Sequence, residues 1–444
     1  MSDQQDSLGN DLGLLNYFMR PDGLDGVIMM SNFDEFQNSQ SAIEFSDLHY
    51  NNPIESNYDQ NLTSAHQYMG EGLRETNGRT IFEEGITHQI PVIYLTSNLI
   101  PKQIFPLIAT CDSLKKLIKY SLARNCVFGV SYKIFGTKNT RTYGTIAEIY
   151  AHSGDIETSD KIYIKAMGHQ RYEILKTEPF PESNAPNIAL AKIRIMPDIT
   201  LPNPYHKLCL NPRNRHSNHG NNLCRTKDMW QTQWPNWVYK QFDVHQLASR
   251  VAEKVKTLYD KIKLTEDPYL LSLQVTKLGM FNPEQVHHLL SLESTNHRLK
   301  QALFYLDENQ KARVSKKKFI CNSEDCYACI CDMGNVFPMS PDGPQGTYCN
   351  SWGQIHDMIT VYRLEPGLGV VKVGQPSDEC SWFPGYKWTI IMCPRCNQHL
   401  GWRFTVDEGS TLTPKVFYGL CMSSITSDKE CTPNDDSSWI DMLH

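Results

Sequence analysis

Trp382-Phe383-Pro384-Gly385-Tyr386-Lys387-Trp388 is followed closely by Cys393-Pro394-Arg395-Cys396 and then by Gly401-Trp402-Arg403-Phe404. This run decides how the C-terminal part of the chain folds. A Pro-Gly turn separates two indoles, and alternation of apolar and polar residues over Trp388–Met392 marks a half-buried strand. Alternation returns in Met358–Arg363, and ten of the fourteen cysteines lie beyond Phe319. These features predict a separate all-β unit of about 100 residues, a normal size for one domain.

Upstream, Cys326-Tyr327-Ala328-Cys329 makes a second C-x-x-C pair with Cys393 and Cys396. Two residues between cysteines let a tight turn aim both sulfurs at one ion, and two such turns complete a tetrahedron of thiolates. The reading is a structural zinc site held by Cys326, Cys329, Cys393 and Cys396. Cys321 and Cys331 flank the first pair, so the choice there rests on chelate geometry alone. Redox knuckles usually occur singly in a βαβ context, which is absent. A second set, Cys209, His216, His219 and Cys224, has ligand types at plausible spacing but sits in a generic polar loop.

Three indoles in one unit, Trp382, Trp388 and Trp402, either form a core or wall a pocket, and taken alone they favour core. A pocket would suit a cation held by the π-faces or a small flat polar ring edged by backbone groups.

Working outward, residues 1–60 hold eleven acidic residues against Arg20, so they carry -10 of a net charge of -6 and the rest of the 444 residues sums to +4. No broad basic face for nucleic acid is implied. No apolar run reaches the 18 or so residues of a membrane helix, and the start lacks a secretory signal pattern. Many cysteines without an export signal point to a reducing compartment. Up to about residue 80 the composition predicts disorder. Short β-rich runs follow at Cys126–Tyr132, Tyr143–Tyr150, Lys161–Ala166, Tyr172–Leu175 and Ala191–Met196, interrupted by helical spacing over Cys111–Leu122. Helices are expected over Val238–Ile262 and from Asn282-Pro283-Glu284-Gln285, a capping signal, with an apolar face running to Leu306 and an end in Arg313 and Lys316-Lys317-Lys318.

The string Glu379–Trp388, the C-P-R-C knuckle and His399-Leu400-Gly401-Trp402-Arg403-Phe404 resemble the cereblon family. Tyr143–Ala151 and Lys165–Tyr172 resemble the Lon N-terminal-type domain of the same family, in the same order. The resemblance implies an α+β multidomain chain: 1–87 acidic and disordered, 88–320 Lon N-terminal-like with a helical adaptor-binding part at about 200–315, 321–428 the zinc-binding, cyclic-imide (thalidomide)-binding domain, and 429–444 a tail. It implies a non-catalytic substrate receptor of a cullin-4 RING ubiquitin ligase, in cytoplasm and nucleus. Partners would be the damaged-DNA-binding adaptor protein, cullin-4 and the RING subunit through it, proteins with C-terminal cyclic imides, and glutarimide small molecules. Carried over, one zinc ion falls to Cys326, Cys329, Cys393 and Cys396, and the ligand cage to Trp382, Trp388 and Trp402 with Phe404 and Asn350 at its edge and Cys380 at its lip.

The family usually has histidine where Cys380 stands, and Pro-His where Ser351-Trp352 stands. Two other classes share part of this pattern. A methionine sulfoxide reductase of the B type needs an Arg-aromatic-Cys-x-Asn context, which neither Cys421 nor Cys380 has. A methyl-lysine reader would use the same indole cage for a quaternary ammonium.

Overall fold

A computed structural model describes residues 56–70, 72–76, 80–132, 142–153, 156, 159–181, 185–201, 235–258, 262–278, 281–314 and 317–427. The expectations placed on 1–55, on Cys209, His216, His219 and Cys224, and on the 429–444 tail lie outside these residues. Ordered structure begins well before residue 88. Helix α1 (Asn61–Ser64) and a 3-10 turn (Gln67–Met69) lie inside the stretch expected to be disordered. Tyr58, Thr63, His66 and Met69 there are buried.

Seven strands form the first sheet: β1 (Arg74–Glu75), β2 (Thr87–Leu95), β3 (Ile104–Ala109), β4 (Val127–Tyr132), β5 (Tyr143–His152), β6 (Ile162–Pro179) and β7 (Ile188–Ile195). Their order is β1-β5-β4-β2-β7-β6-β3, and a further β5–β6 pairing closes the five middle strands into a barrel. Closure removes open edges. Lys161–Ala166 and Tyr172–Leu175 prove to be one long strand, with Gly168 inside it. The barrel interior holds Ile90, Val92, Val127, Ile146, Tyr172 and Ile193. Tyr172 fills it by lying on Gly144 and Gly129, where an added Cβ would come within 2.5 and 2.3 Å of its ring and hydroxyl. Its hydroxyl meets Ser131 Oγ at 2.8 Å. The opposite face of the sheet packs helix α2 (Asp112–Leu122) through Leu114, Leu117 and Ile118.

Helices α3 (Asn236–Phe242), α4 (Val244–Leu258), α5 (Pro268–Leu278), α6 (Pro283–Ser291) and α7 (Thr295–Val314) follow. The capping box at Asn282 and Gln285 forms as read. Two helices expected to be continuous are each broken. At Asp243 the side chain accepts from His245 N–H and opens α4 anew. At Leu290 and Leu292 the carbonyls turn to accept from buried Arg171, at 2.6 and 2.7 Å. Asp198 pairs with both Arg171 and Arg298 and accepts from Tyr269 Oη at 2.9 Å. This buried cluster fastens α5–α7 to the barrel. Removing the carboxylate would strand two buried guanidinium groups, at a cost of about 3–5 kcal/mol.

The C-terminal unit starts with β8 (Lys318–Cys321) and β9 (Cys329–Asp332). It continues through β10 (Gln345–Cys349), β11 (Ile355–Val361), β12 (Val371–Ser377), β13 (Lys387–Met392), β14 (His399–Thr405), β15 (Val416–Cys421) and β16 (Ile425–Thr426). A six-stranded sheet runs β10-β11-β15-β14-β13-β12, and a three-stranded one runs β16-β8-β9. One apolar core contains Ile359, Ile391 and Leu420 of the larger sheet together with Val251, Leu289 and Leu303 of the helices. The aromatic cluster of Trp382, Phe383, Tyr386, Trp402, Phe404 and Phe417 forms a separate core. The expected class stands: β-rich domain, helical segment, all-β domain. Among the described residues no helix is long and apolar enough to cross a membrane.

Candidate functional site: a four-thiol cluster beside a tryptophan face

Cys393-Pro394-Arg395-Cys396 forms the turn between β13 and β14, the two strands that carry Trp388 and Trp402. The turn is closed by Asn397 N–H donating to Cys393 O at 2.9 Å, with Asn397 at φ 55°. Across from it, the end of β8 and the loop after it bring Cys321 and Cys326 to the same point. The sulfurs of Cys321, Cys326, Cys393 and Cys396 all lie within 4.8 Å of one another. Cys321–Cys396 is 3.5 Å and Cys326–Cys393 is 3.6 Å. Four thiolates around one ion at metal–sulfur bonds of about 2.3 Å sit about 3.8 Å apart, so the spacing fits a metal ion. The Cys393 thiol is pulled well below its ordinary value, first by the Cys321 thiol and then by the Cys396 and Arg395 peptide N–H groups.

The cluster differs from the ligand set expected from C-x-x-C spacing, which was Cys326, Cys329, Cys393 and Cys396. Cys329 lies outside the cluster and Cys321 takes its place, giving a C-x4-C arm. The reason is strand register: Cys329 pairs with Ile320 across β8–β9, and paired residues share a face. Cys321, next along from Ile320, points to the other face, toward the knuckle. Two-residue spacing favours a turn, but here β9 begins at Cys329 and the turn falls earlier, over 322–328.

On the larger sheet, Trp388 pairs with Phe404 and Ile390 with Trp402, so all four side chains lie on one face. Trp382 arrives from the turn before β13, and its ring meets Trp402 edge-to-face at 4.6 Å. Trp382 and Trp402 are 6% and 4% exposed, so both belong to the aromatic core. Trp388 is half-buried, and its indole N–H donates to Glu379 O at 2.8 Å. Trp388 and Trp402 are diagonal neighbours, typically about 7–8 Å apart in such a ladder. Two of the three indoles are therefore core, and the third, Trp388, is partly exposed and packs against that core.

Phe404 stacks on Phe417 at 4.8 Å, behind the wall. The Asn350 side chain accepts from the Trp352 and Gln354 N–H groups at 3.0 and 2.9 Å, holding its own loop. Cys380 is exposed at φ 52° in the turn Asp378–Ser381, so its backbone rather than its thiol shapes the lip. Two residues that sequence reading missed are His356 and His399, whose rings meet Trp402 at 4.9 and 4.7 Å. Burial, reinforced by His399, pushes His356 down to about 3, and burial pushes His399 down to about 4, so both are neutral at pH 7. A lone histidine in a strand gives no sequence signal for such a position.

The rim of this face is bolted to the barrel. Lys161 Nζ donates to Ser351 O at 3.0 Å and Thr110 Oγ1 to Trp352 O at 3.1 Å. Gly353, at φ 84°, lets its loop approach Ile108 O, which an added Cβ would meet at 2.3 Å.

No family model matches the chain. Curated relatives do. The protein named cereblon of Xenopus tropicalis is 29% identical over 397 residues, covering 83% of this chain and 84% of that protein. Cereblon of Danio rerio is 29% identical, with 83% and 88% covered, and that of Gallus gallus 27%, with 83% and 84% covered. Among solved structures, a Lon N-terminal domain protein from Xanthomonas campestris aligns with 49% of the chain at 14% identity and a TM-score of 0.31. The N-terminal domain of the Mycobacterium avium complex Lon protease aligns with 50% at 12% identity and a TM-score of 0.32.

Proposed function

We propose that this chain, a distant relative of the cereblon proteins, is the substrate-recognition subunit of a cullin-4 RING ubiquitin ligase. It captures proteins bearing C-terminal cyclic imides, or glutarimide small molecules, on the tryptophan face, so that bound proteins are ubiquitinated and degraded. It performs no catalysis itself and works in cytoplasm and nucleus. The observation that carries this reading is the open Trp388 wall beside the buried Trp382–Trp402 corner, one turn away from the four-thiol cluster. Indole faces remove the CH₂ groups of a glutarimide from water, while backbone groups of the Cys380 turn meet its N–H and carbonyl edge.

The metal that fits Cys321, Cys326, Cys393 and Cys396 best is zinc, because four thiolates in a closed, largely buried set suit a soft ion without an open position. Its role is structural: it pins β8 to the β13–β14 turn and so fixes the register of the strands that present Trp388 and Trp402. The adaptor is engaged by the helical part, where Trp237, Phe242 and Phe304 are 62%, 45% and 54% exposed. Large exposed apolar side chains on these helices suit a protein interface.

The test is affinity purification of the tagged chain from cells. The damaged-DNA-binding adaptor and cullin-4 should co-purify in near-equal amounts. Their absence under conditions where the chain is folded and zinc-loaded would remove the ligase role. A trimethyl-lysine peptide serves as the competing ligand class, and the neutral histidines beside Trp402 give it no counter-charge.

A further inference from the structure

We propose that Tyr68 and His66, in the segment N-terminal to the barrel, are positioning residues for Trp382, the buried indole that backs the ligand face. This rests on the pocket reading above and adds to it residues from outside the C-terminal domain.

Two separate contacts lead from this segment to Trp382. The first is a hydrogen-bond relay. Trp382 Nε1–H donates to Cys349 O at 3.1 Å. Cys349 N–H in turn donates to Tyr68 Oη at 3.2 Å. Tyr68 Oη lies 3.1 Å from His66 Nδ1. The second contact is packing. Tyr348 stacks on Trp382 with centroids 5.1 Å apart and planes 20° apart, and His66 meets the Tyr348 ring at 6.2 Å. Cys349 also immediately precedes Asn350, so the backbone that Tyr68 holds leads directly into the loop at the pocket edge.

The donors and acceptors of the relay are consistent. Burial, with Lys165 and Lys277 nearby, pushes His66 down to about 4, so at pH 7 its neutral Nδ1 can accept the Tyr68 hydroxyl proton. Burial holds the Tyr68 phenol well above its ordinary range, so that proton is always present. The Tyr68 oxygen is then free to accept from Cys349. His66 is held at φ 46°, a left-handed conformation that non-glycine residues rarely adopt. Such strain persists where surrounding contacts over-determine it. Here Lys165 Nζ, donating to Ala65 O at 2.9 Å, fixes the residue before it.

The same segment is also anchored at points that do not touch Trp382. Thr63 Oγ1 donates to Met339 O at 3.1 Å, and Gln60 Nε2 to Pro338 O at 3.0 Å. These anchors allow the relay to be separated from docking in general.

The experiment uses the full zinc-loaded chain, with Tyr68→Phe as the test and Thr63→Val as the control. The first readout needs no ligand: in ¹⁵N spectra, Tyr68→Phe shifts the indole N–H resonance of Trp382 and leaves that of Trp388, which bonds Glu379 O. The second is glutarimide affinity, which falls about 3- to 10-fold in Tyr68→Phe, as for one lost hydrogen bond, and stays at wild type in Thr63→Val. Zinc content stays at the wild-type level in both. An unchanged Trp382 resonance in Tyr68→Phe overturns the inference, and so does an equal loss of affinity in Thr63→Val. If the wild-type chain binds no glutarimide, the pocket reading fails on its own, and the Trp382 resonance alone decides the relay.

Discussion

Cys380 and Cys329 are the two residues at which the chain most sharply separates what a motif suggests from what a backbone does. Cys380 occupies the left-handed region with its side chain in solvent. Histidine tolerates that region better than most residues. Cys380→His should therefore leave stability unchanged within about 0.5 kcal/mol and alter glutarimide affinity only modestly. Thermal melts paired with titration check this, and a loss of binding beyond about tenfold would mean that the side chain, not the turn, shapes the lip. Cys329 makes the opposite case. Its C-x-x-C spacing is right, yet its strand register turns it away from the cluster. Cys321→Ser should lose the metal, and because metal binding here is also folding free energy, the C-terminal unit should unfold with it. Cys329→Ser should keep about one zinc per chain by metal analysis after dialysis. The reverse outcome would restore the original ligand set.

Strands and helices were legible where a local signal was strong. Asn282 and Gln285 announced a helix start, and alternation over Trp388–Met392 announced the strand that carries the third indole. What sequence did not reveal was set by tertiary partners. Helix α5 has a start signal in Asp267-Pro268, and Leu270 N–H does bond Asp267 Oδ1 at 2.8 Å. Its apolar residues surround it, however, because it is buried on several sides, so no clean period shows. The break between α6 and α7 is dictated by Arg171, more than a hundred residues away. The ordering of residues 56–69 is likewise invisible locally, since polar composition alone reads as disorder. It arises from contacts such as Tyr58 with Tyr386, rings 5.6 Å apart.

The elements that meet around the aromatic core also bury titratable groups, which makes stability depend on pH. His66, His356 and His399 are depressed from 6.5 to about 4, 3 and 4, so the fold holds them neutral where the unfolded chain is protonated. Their contribution is present above pH 6.5 and is lost as pH falls. Asp357 has the opposite sign: burial raises it from 3.8 to about 7, so the fold holds a proton there that the unfolded chain has released. Between about pH 4 and 6.5 the three histidines outweigh the one carboxyl, for a net uptake of about two protons on unfolding. Stability should thus rise by up to about 2.7 kcal/mol per pH unit across that window. Urea unfolding at pH 5 and pH 6 measures the slope; a flat or inverted profile would show that these groups are not buried as described.

At the scale of the whole molecule, the helices and the C-terminal unit share one apolar core. The shared apolar core makes deleting helices a poor test of the adaptor surface, because Ile391 and Leu420 would lose their partners too. Surface substitutions are cleaner. Trp237→Ala combined with Phe304→Ala should weaken adaptor capture at least tenfold if those side chains are anchors worth about 1–2 kcal/mol each. Glutarimide binding and zinc content should not change. Equal adaptor capture by this variant would move the interface elsewhere.

The most direct measurement is calorimetric titration of a glutarimide into the full zinc-loaded chain, beside Trp388→Ala and beside a trimethyl-lysine peptide. Trp388 is the partly exposed indole of the proposed ligand face, so its removal should admit water and weaken binding by about 30- to 1000-fold while melting temperature and zinc content stay native. The peptide should give no saturable heat. Undiminished glutarimide binding by Trp388→Ala, or no binding by the wild-type chain, would contradict the account and leave the three indoles as core alone.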